Sequence, residues 1–508
     1  MQNIVVVGAG QAGLIAATQI KQLFPKFDVT VVASEELGTI GVGEGSTEHW
    51  KAYEDLVKIN RPELIAKTDA TLKYGIRFFN WTHHTPDYFH AISSNGPLLA
   101  QSFNASYSYV HSLGRQLTST FMHRGLIEDT VTGDLFQTNQ LHFDSHRLNE
   151  FLKEHAIHMG IVFVDDEVIG IERDSESGDI TNVVGKQGSL PSDFVIDASG
   201  FNKVVFSHLG GLWEKSFRAV LPCDSALVFQ TPPNPSIKAY TTATALSAGW
   251  HWDIPTHERR GHGYVFSSQH LDADRAAEEV EAHIDEPIGE TRLIKFSPFQ
   301  LKNSWQFNCV AVGLASNFVE PLEATSISTT IEQVRLLCSY LPTYRPNSTA
   351  PQAGYLRVFD SMVDNLVAMV AMHYVSDRKD TPMWLAQQSA PRPELLSNLI
   401  DIMSHRGPER HDIPDTGYEL FHAHHFWHVA QGQDLIDKRS CRQGLAAYDG
   451  SRREVEEHLN RIYSDIANAP ARPTHRAFLG KIRADVLGSS IEWKLSNFTL
   501  EEMERFDD

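Results

Sequence analysis

Apolar residues recur along this chain with two periods, and the change from one to the other marks out its elements. Ile4, Val5, Val6 and Val7 form an unbroken apolar run, as expected of a strand buried on both faces, and "LIAATQIKQLF", Leu14 to Phe24, then takes up helical spacing. "VTVVAS", Val29 to Ser34, reads as a second strand. "DFVIDASGF", Asp193 to Phe201, reads as another buried strand ending in a small-residue turn. Between Pro222 and Ser268 short apolar strands alternate with Gly and Pro turns, which predicts a sheet laid over the first unit. Ile327, Ile331, Val334 and Leu337 follow at helical spacing, and Thr329 with Glu332 fits a capping box, so a helix is predicted to begin nearby. From about Leu337 onward helix dominates, with amphipathic stretches at Phe359–Met372 and Arg453–Ile462.

The turn between the first strand and helix reads "GAGQAG". Gly8 permits the tight turn, Gly10 lets the backbone approach a pyrophosphate, and Gly13 allows the helix to pack closely on the strand. The exposed N–H groups at the helix start suit that anion. Strand, glycine turn, helix and second strand together predict a dinucleotide site in an α/β fold. Ala33 stands where an acid usually holds the ribose hydroxyls, leaving Glu35 or Glu36 as substitutes. "IGVGEGST", Ile40 to Thr47, suits a loop pressed against a flat or phosphorylated ligand. No second GxGxxG occurs, so the chain shows no site for a nicotinamide of its own.

"GWHWDIP", Gly249 to Pro255, is unusual. In an extended segment Trp250 and Trp252 share one face and His251 and Asp253 the other, and Pro255 ends the strand. Ordinary aromatic packing explains the motif in isolation.

Composition narrows the class. With 508 residues the chain is long enough for two or three lobes. Its 44 basic and 64 acidic residues give a formal charge of -20, which disfavours nucleic acid and anionic membrane. Without a long apolar run or a charged-then-apolar leader, a soluble cytoplasmic protein is expected. The four widely spaced cysteines suggest neither zinc nor a disulfide framework, and the histidine clusters at His83–His84 and His422–His425 lack a ligand spacing, so no metal is expected.

The motifs "GAGQAG", "IGVGEGST", "GWHWDIP" and "FVEPLEATS" stand in the order in which flavin-dependent halogenases carry them, and the chain resembles the tryptophan halogenase family. "LKYGIRFFNW" at Leu72, "FDSHRL" at Phe143, "GHGYVFSS" at Gly261 and "MHYVSDRKDTPMW" at Met372 extend the likeness over the first three-quarters of the chain. The resemblance implies a Rossmann-like FAD-binding module of the flavin monooxygenase type, joined to a mixed β-sheet and a helix-rich C-terminal substrate lobe. The lobes are expected to interleave: a flavin module over 1–335, with substrate-sheet segments near 50–110 and 205–300, and a helical covering region over 336–508.

In that family reduced FAD, oxygen and halide yield hypohalous acid, which passes through an internal passage to an electron-rich aromatic substrate. The resemblance implies that Gly8, Gly10, Ala12 and Gly13, the loop Gly43, Glu44 and Gly45, and Leu314 and Ile327 hold FAD. Thr325 and Ser326 map to the halide contacts, although Ser326 and Asn317 replace the usual glycines. Trp250 and Trp252 would wall the passage. Lys73 aligns with the lysine that receives the oxidant, and Glu323 with the carboxylate that stabilises the cationic ring and removes its proton. Lys73 and Glu323 would then form a buried pair facing the ring. A C-terminal lid is expected near Tyr418 to Trp427, but "FHAHHFWHVAQG" does not match the tyrosine-rich lid that grips free tryptophan, so an indole-type substrate is expected. A separate flavin reductase would supply reduced FAD, and the oligomeric state is left open, a homodimer included. An aromatic hydroxylase and a non-catalytic flavin-binding protein stand as alternatives.

Overall fold

The computed structural model describes residues 2–34, 44–91, 107–113, 140–447 and 473–488, with a few isolated positions besides. The first valine run becomes the strand Asn3–Val7, central in a six-stranded sheet. Asp28–Ala33 and then Val162–Asp165 flank it on one side, and Phe194–Asp197, Cys309–Ala311 and Trp305–Gln306 on the other. All neighbours pair in parallel except the last two, which pair antiparallel. Parallel strands need long crossovers, so stretches far apart in sequence meet in this sheet. The helix Gln11–Leu23 follows the first strand, and its residues Gly13 to Ile20 are buried.

A seven-stranded sheet forms the second layer, in the order Arg292–Lys295, Ser225–Thr231, Arg260–Phe266, Gly249–Pro255, Thr241–Ala245, Ile76–Phe79 and Asp87–His90. The four strands between Pro222 and Ser268 are those anticipated from the Gly and Pro turns. The strand Gly249–Pro255 ends at its proline, as read. A small sheet of Glu44–Gly45, Gln140–Phe143 and Thr71–Lys73 brings together residues of three of the quoted motifs.

The helix predicted near Thr329 begins four residues earlier, at Thr325, and runs to Tyr340. Thr329 and Glu332 form no capping box. Ala324, with φ of 55°, turns the chain into the helix, and the Thr329 hydroxyl donates back to the Thr325 carbonyl within the helix, 2.8 Å away. The 24-residue helix Ala350–His373 packs on this one, and its residues Leu366 to His373 are all buried. Among the described residues, no helix is long and apolar enough to cross a membrane.

Candidate active site

The nucleotide turn fits a pyrophosphate by its contacts. A Cβ on Gly13 would lie 1.9 Å from the Gly8 carbonyl oxygen, so only glycine allows this helix to sit so close. Among the described residues, a Cβ on Gly10 would meet nothing within 4 Å, which leaves open space at the helix N-terminus where no side chain caps the backbone. Ala12 touches the short turn that holds Leu314: a Cβ on Gly313 would lie 2.6 Å from the Ala12 Cβ. That turn donates the Gly313 N–H to Gln333 on the helix Thr325–Tyr340, the helix that buries Ile327. FAD therefore fits the residues present. Gly43, Glu35 and Glu36 lie outside the described residues, and Glu44 and Gly45 form a strand paired with Phe143 and His142.

Gly45 leads to Lys73. This lysine ends the strand Thr71–Lys73 and is fully buried, and its Nζ donates to the Ser46 carbonyl at 2.7 Å. A Cβ on Gly45 would lie 3.0 Å from that Nζ. Burial pushes the ammonium down to about 7, with the negative field of Glu323 opposing the shift. Directly across the ladder stands Gln140, fully buried, with no hydrogen-bond partner for either side-chain atom among the described residues. The strand is braced from the C-terminus. The Leu72 N–H donates to Nε2 of His475 at 3.0 Å, while Nδ1 of that ring donates to the Ile237 carbonyl at 3.2 Å. Burial lowers His475 to about 3, so the ring stays neutral and Nε2 keeps its lone pair.

Glu323 is also fully buried, and two histidines hold it. His90 Nδ1 lies 2.9 and 2.8 Å from its two oxygens, and His373 Nε2 lies 2.5 Å from Oε1. The tautomer of His373 follows from its other neighbour. The Tyr88 hydroxyl is kept protonated by burial and donates to His373 Nδ1 at 2.8 Å, so Nε2 carries the hydrogen given to Glu323. Burial pushes the Glu323 carboxyl up, but the two imidazoles outweigh it and hold the group well below the usual carboxylate range. Gln433 fixes the assembly by donating to the His373 carbonyl at 2.8 Å.

Trp250 and Trp252 share one face of their strand, with ring centroids 5.7 Å apart and planes at 49°. The Trp250 indole donates to Glu320 at 2.9 Å, and the Tyr374 hydroxyl donates to the same oxygen at 2.7 Å. Burial raises the Glu320 carboxyl to about 7. The tryptophan wall is thus tied to the segment that carries Glu323 three residues later. Thr325 is buried and Ser326 exposed at the start of the next helix, where no side chain caps the backbone. Asn317 lies in a short strand paired with Gln300.

The stretch Tyr418 to Trp427 divides in two. Tyr418 packs under the Arg335 guanidinium, 3.9 Å from its ring centroid, whereas His425 and Trp427 are buried in the helix Ala423–Gly432. His425 and His428 meet the His90 ring edge-on at 5.4 and 5.5 Å. His90, His373, Glu320 and Gln140 escaped the sequence reading. Only two signals pointed to any of them: His373 and Glu320 fall inside the motifs "MHYVSDRKDTPMW" and "FVEPLEATS".

A dinucleotide turn on one sheet, with a buried lysine and a histidine-held carboxylate elsewhere in the fold, suits a flavin-dependent enzyme. The chain belongs to the tryptophan halogenase family, whose model, Tryptophan halogenase, matches residues 3–448. It is an enzyme that uses FAD and halide to halogenate an aromatic substrate. The tryptophan 6-halogenase SttH of Streptomyces toxytricini is 29% identical over 454 residues, covering 81% of this chain and 85% of that one. The tryptophan 7-halogenase RebH of Lentzea aerocolonigenes is 28% identical, covering 79% and 82%. The solved tryptophan halogenase of Shewanella frigidimarina superposes with a TM-score of 0.85 at 25% identity, covering 95% of this chain and 98% of that one.

Proposed function

We propose that this enzyme halogenates a neutral indole-type ring, with Lys73 handing over the halogen and Glu323 stabilising the cationic ring. Bound and reduced FAD would supply hypohalous acid from oxygen and halide. The observation that carries the reading is Lys73: a fully buried ammonium with three N–H donors and one protein acceptor, Ser46, among the described residues. The remaining donors suit the oxygen of hypohalous acid. A lysine at about 7 is a proton donor matched to neutral pH, so it can protonate that oxygen as the halogen leaves. Glu323 supplies negative charge where the ring becomes positive.

Gly8, Gly10, Ala12, Gly13, Leu314 and Ile327 would hold the cofactor. Thr325 and Ser326, at an uncapped helix start, would hold the halide. Trp250 and Trp252 would wall the passage between the two sites. A neutral substrate is favoured because Tyr418 to Trp427 contains no Lys or Arg. Its one carboxylate, Glu419, already accepts from the N–H groups of Thr416 and Gly417. Since the chain carries one GxGxxG, reduced FAD would come from a separate flavin reductase. The four free, buried cysteines fit a reducing cytoplasmic setting.

The test supplies the purified chain with a flavin reductase, FAD, bromide or chloride, and indole. Lys73→Ala should still form trappable hypohalous acid but no halogenated ring. Full ring halogenation by that variant would overturn the reading.

A further inference from the structure

Glu323 is poorly placed to take a proton itself. Both its oxygens already accept imidazole hydrogen bonds. The proton leaving the ring therefore needs another acceptor, and one buried nitrogen close by has no partner. His90 is fully buried, and its Nδ1 is bound to Glu323, so in the neutral ring that nitrogen carries the hydrogen and Nε2 the lone pair. Among the described residues, Nε2 has no hydrogen-bond partner. A buried nitrogen acceptor is seldom left unpaired, because nothing then offsets its lost hydration, so its retention points to a ligand that meets it.

The position is right for one. His90 ends the strand Asp87–His90 and pairs with Ile76, three residues beyond Lys73 on the chain. Its ring abuts His425 and His428 of the helix that follows Tyr418, so it lies between the Lys73 segment and the C-terminal lobe. A carboxylate that accepts from Nδ1 fixes the tautomer and stabilises the imidazolium that forms when Nε2 gains a proton, as in serine hydrolases.

We propose that His90 Nε2, rather than Glu323, accepts the ring proton in the second half of halogenation. This rests on the functional reading above. In the first half the ring carbon bonds the halogen, the halogen–oxygen bond breaks, and the oxygen leaves as water with a proton from Lys73. In the second half the C–H bond at that carbon breaks, its electron pair restores aromaticity, and the proton passes to His90 Nε2. Once the proton returns from His90 to Lys73, the net change is aromatic C–H and hypohalous acid to aromatic C–halogen and water. Glu323 acts through the imidazole as its positioning residue and charge partner.

His90→Asn tests this, because the shorter amide retains a donor near Nδ1 and removes the base. The variant, with reductase, FAD and bromide, should form hypohalous acid as the wild type does while indole turnover falls about 100-fold or more. Indole deuterated at the halogenated carbon should then show a primary isotope effect on kcat larger than that of the wild type. A merely structural role would not enlarge it. His90→Gln, which places an amide near Nε2, is the second variant if the first does not fold. Turnover within a few-fold of wild type, or slow turnover with no enlarged isotope effect, would overturn the assignment alone. A wild-type enzyme that makes no hypohalous acid would overturn the functional reading with it.

Discussion

Replacing Lys73 by methionine should stabilise the protein at mildly acid pH, in a way that identifies the lysine's charge as the cause. Methionine keeps most of the length and apolar volume and removes the ammonium. The folded lysine titrates at about 7 against an ordinary 10.5, because burial disfavours its charged form. At about 1.36 kcal/mol per pH unit, that difference corresponds to about 5 kcal/mol of destabilisation in the wild type. It is fully present below about pH 7, where the lysine is charged in both the folded and the unfolded chain. From there up to 10.5 the folded lysine is neutral while the unfolded one stays charged, so the unfolded state binds more protons and wild-type stability rises with pH. Methionine escapes this cost but leaves the Ser46 carbonyl without its donor, a loss of about 1–3 kcal/mol. Urea unfolding at about pH 6 should therefore show Lys73→Met more stable than wild type by roughly 2–4 kcal/mol. The advantage should shrink by about 1.4 kcal/mol per pH unit above pH 7 and reverse before about pH 10. A difference that does not change with pH, or a variant less stable at the acid end, would refute the argument that a charged lysine is held at a desolvated site.

Four further expectations follow. Glu323→Gln removes the charge but keeps the shape, so kcat for ring halogenation should fall about 100-fold with little change in KM, as steady-state kinetics would show. Gly13→Ala should abolish FAD binding and lower stability, because its Cβ meets the Gly8 carbonyl. Gly10→Ala should fold normally in the absence of flavin yet bind FAD more weakly in a titration, since its Cβ enters open space. Ser326, where the family usually has glycine, should tilt halide choice toward bromide, the ion easier to desolvate. Mostly chlorinated product from equal chloride and bromide, measured by mass spectrometry, would contradict this.

Local requirements showed in the sequence, and distant ones did not. The nucleotide turn was legible because three glycines and an apolar run answer to a strand, a tight turn and a helix within twenty residues. Lys73 and Glu323 became visible only through resemblance, since neither stands in a pattern of its own. The grip on Glu323 was hidden. Its histidines lie 233 and 50 residues away in the chain, joined by sheet order and a long helix that no periodicity encodes. The capping-box reading failed for a local reason of another kind: an alanine with positive φ starts the helix, which propensity does not anticipate.

The hydrogen bond from Leu72 to His475 separates two boundaries that are easily taken as one. The family match stops at residue 448, yet the ring that steadies the strand of Lys73 arrives from 403 residues further along the chain than Leu72. An engineer who trims the chain after residue 448, where the family match stops, would remove a brace from beside the lysine. The same reach means that a ribosome must finish almost the whole polypeptide before that strand, already laddered to Gln140–Phe143, gains its last brace.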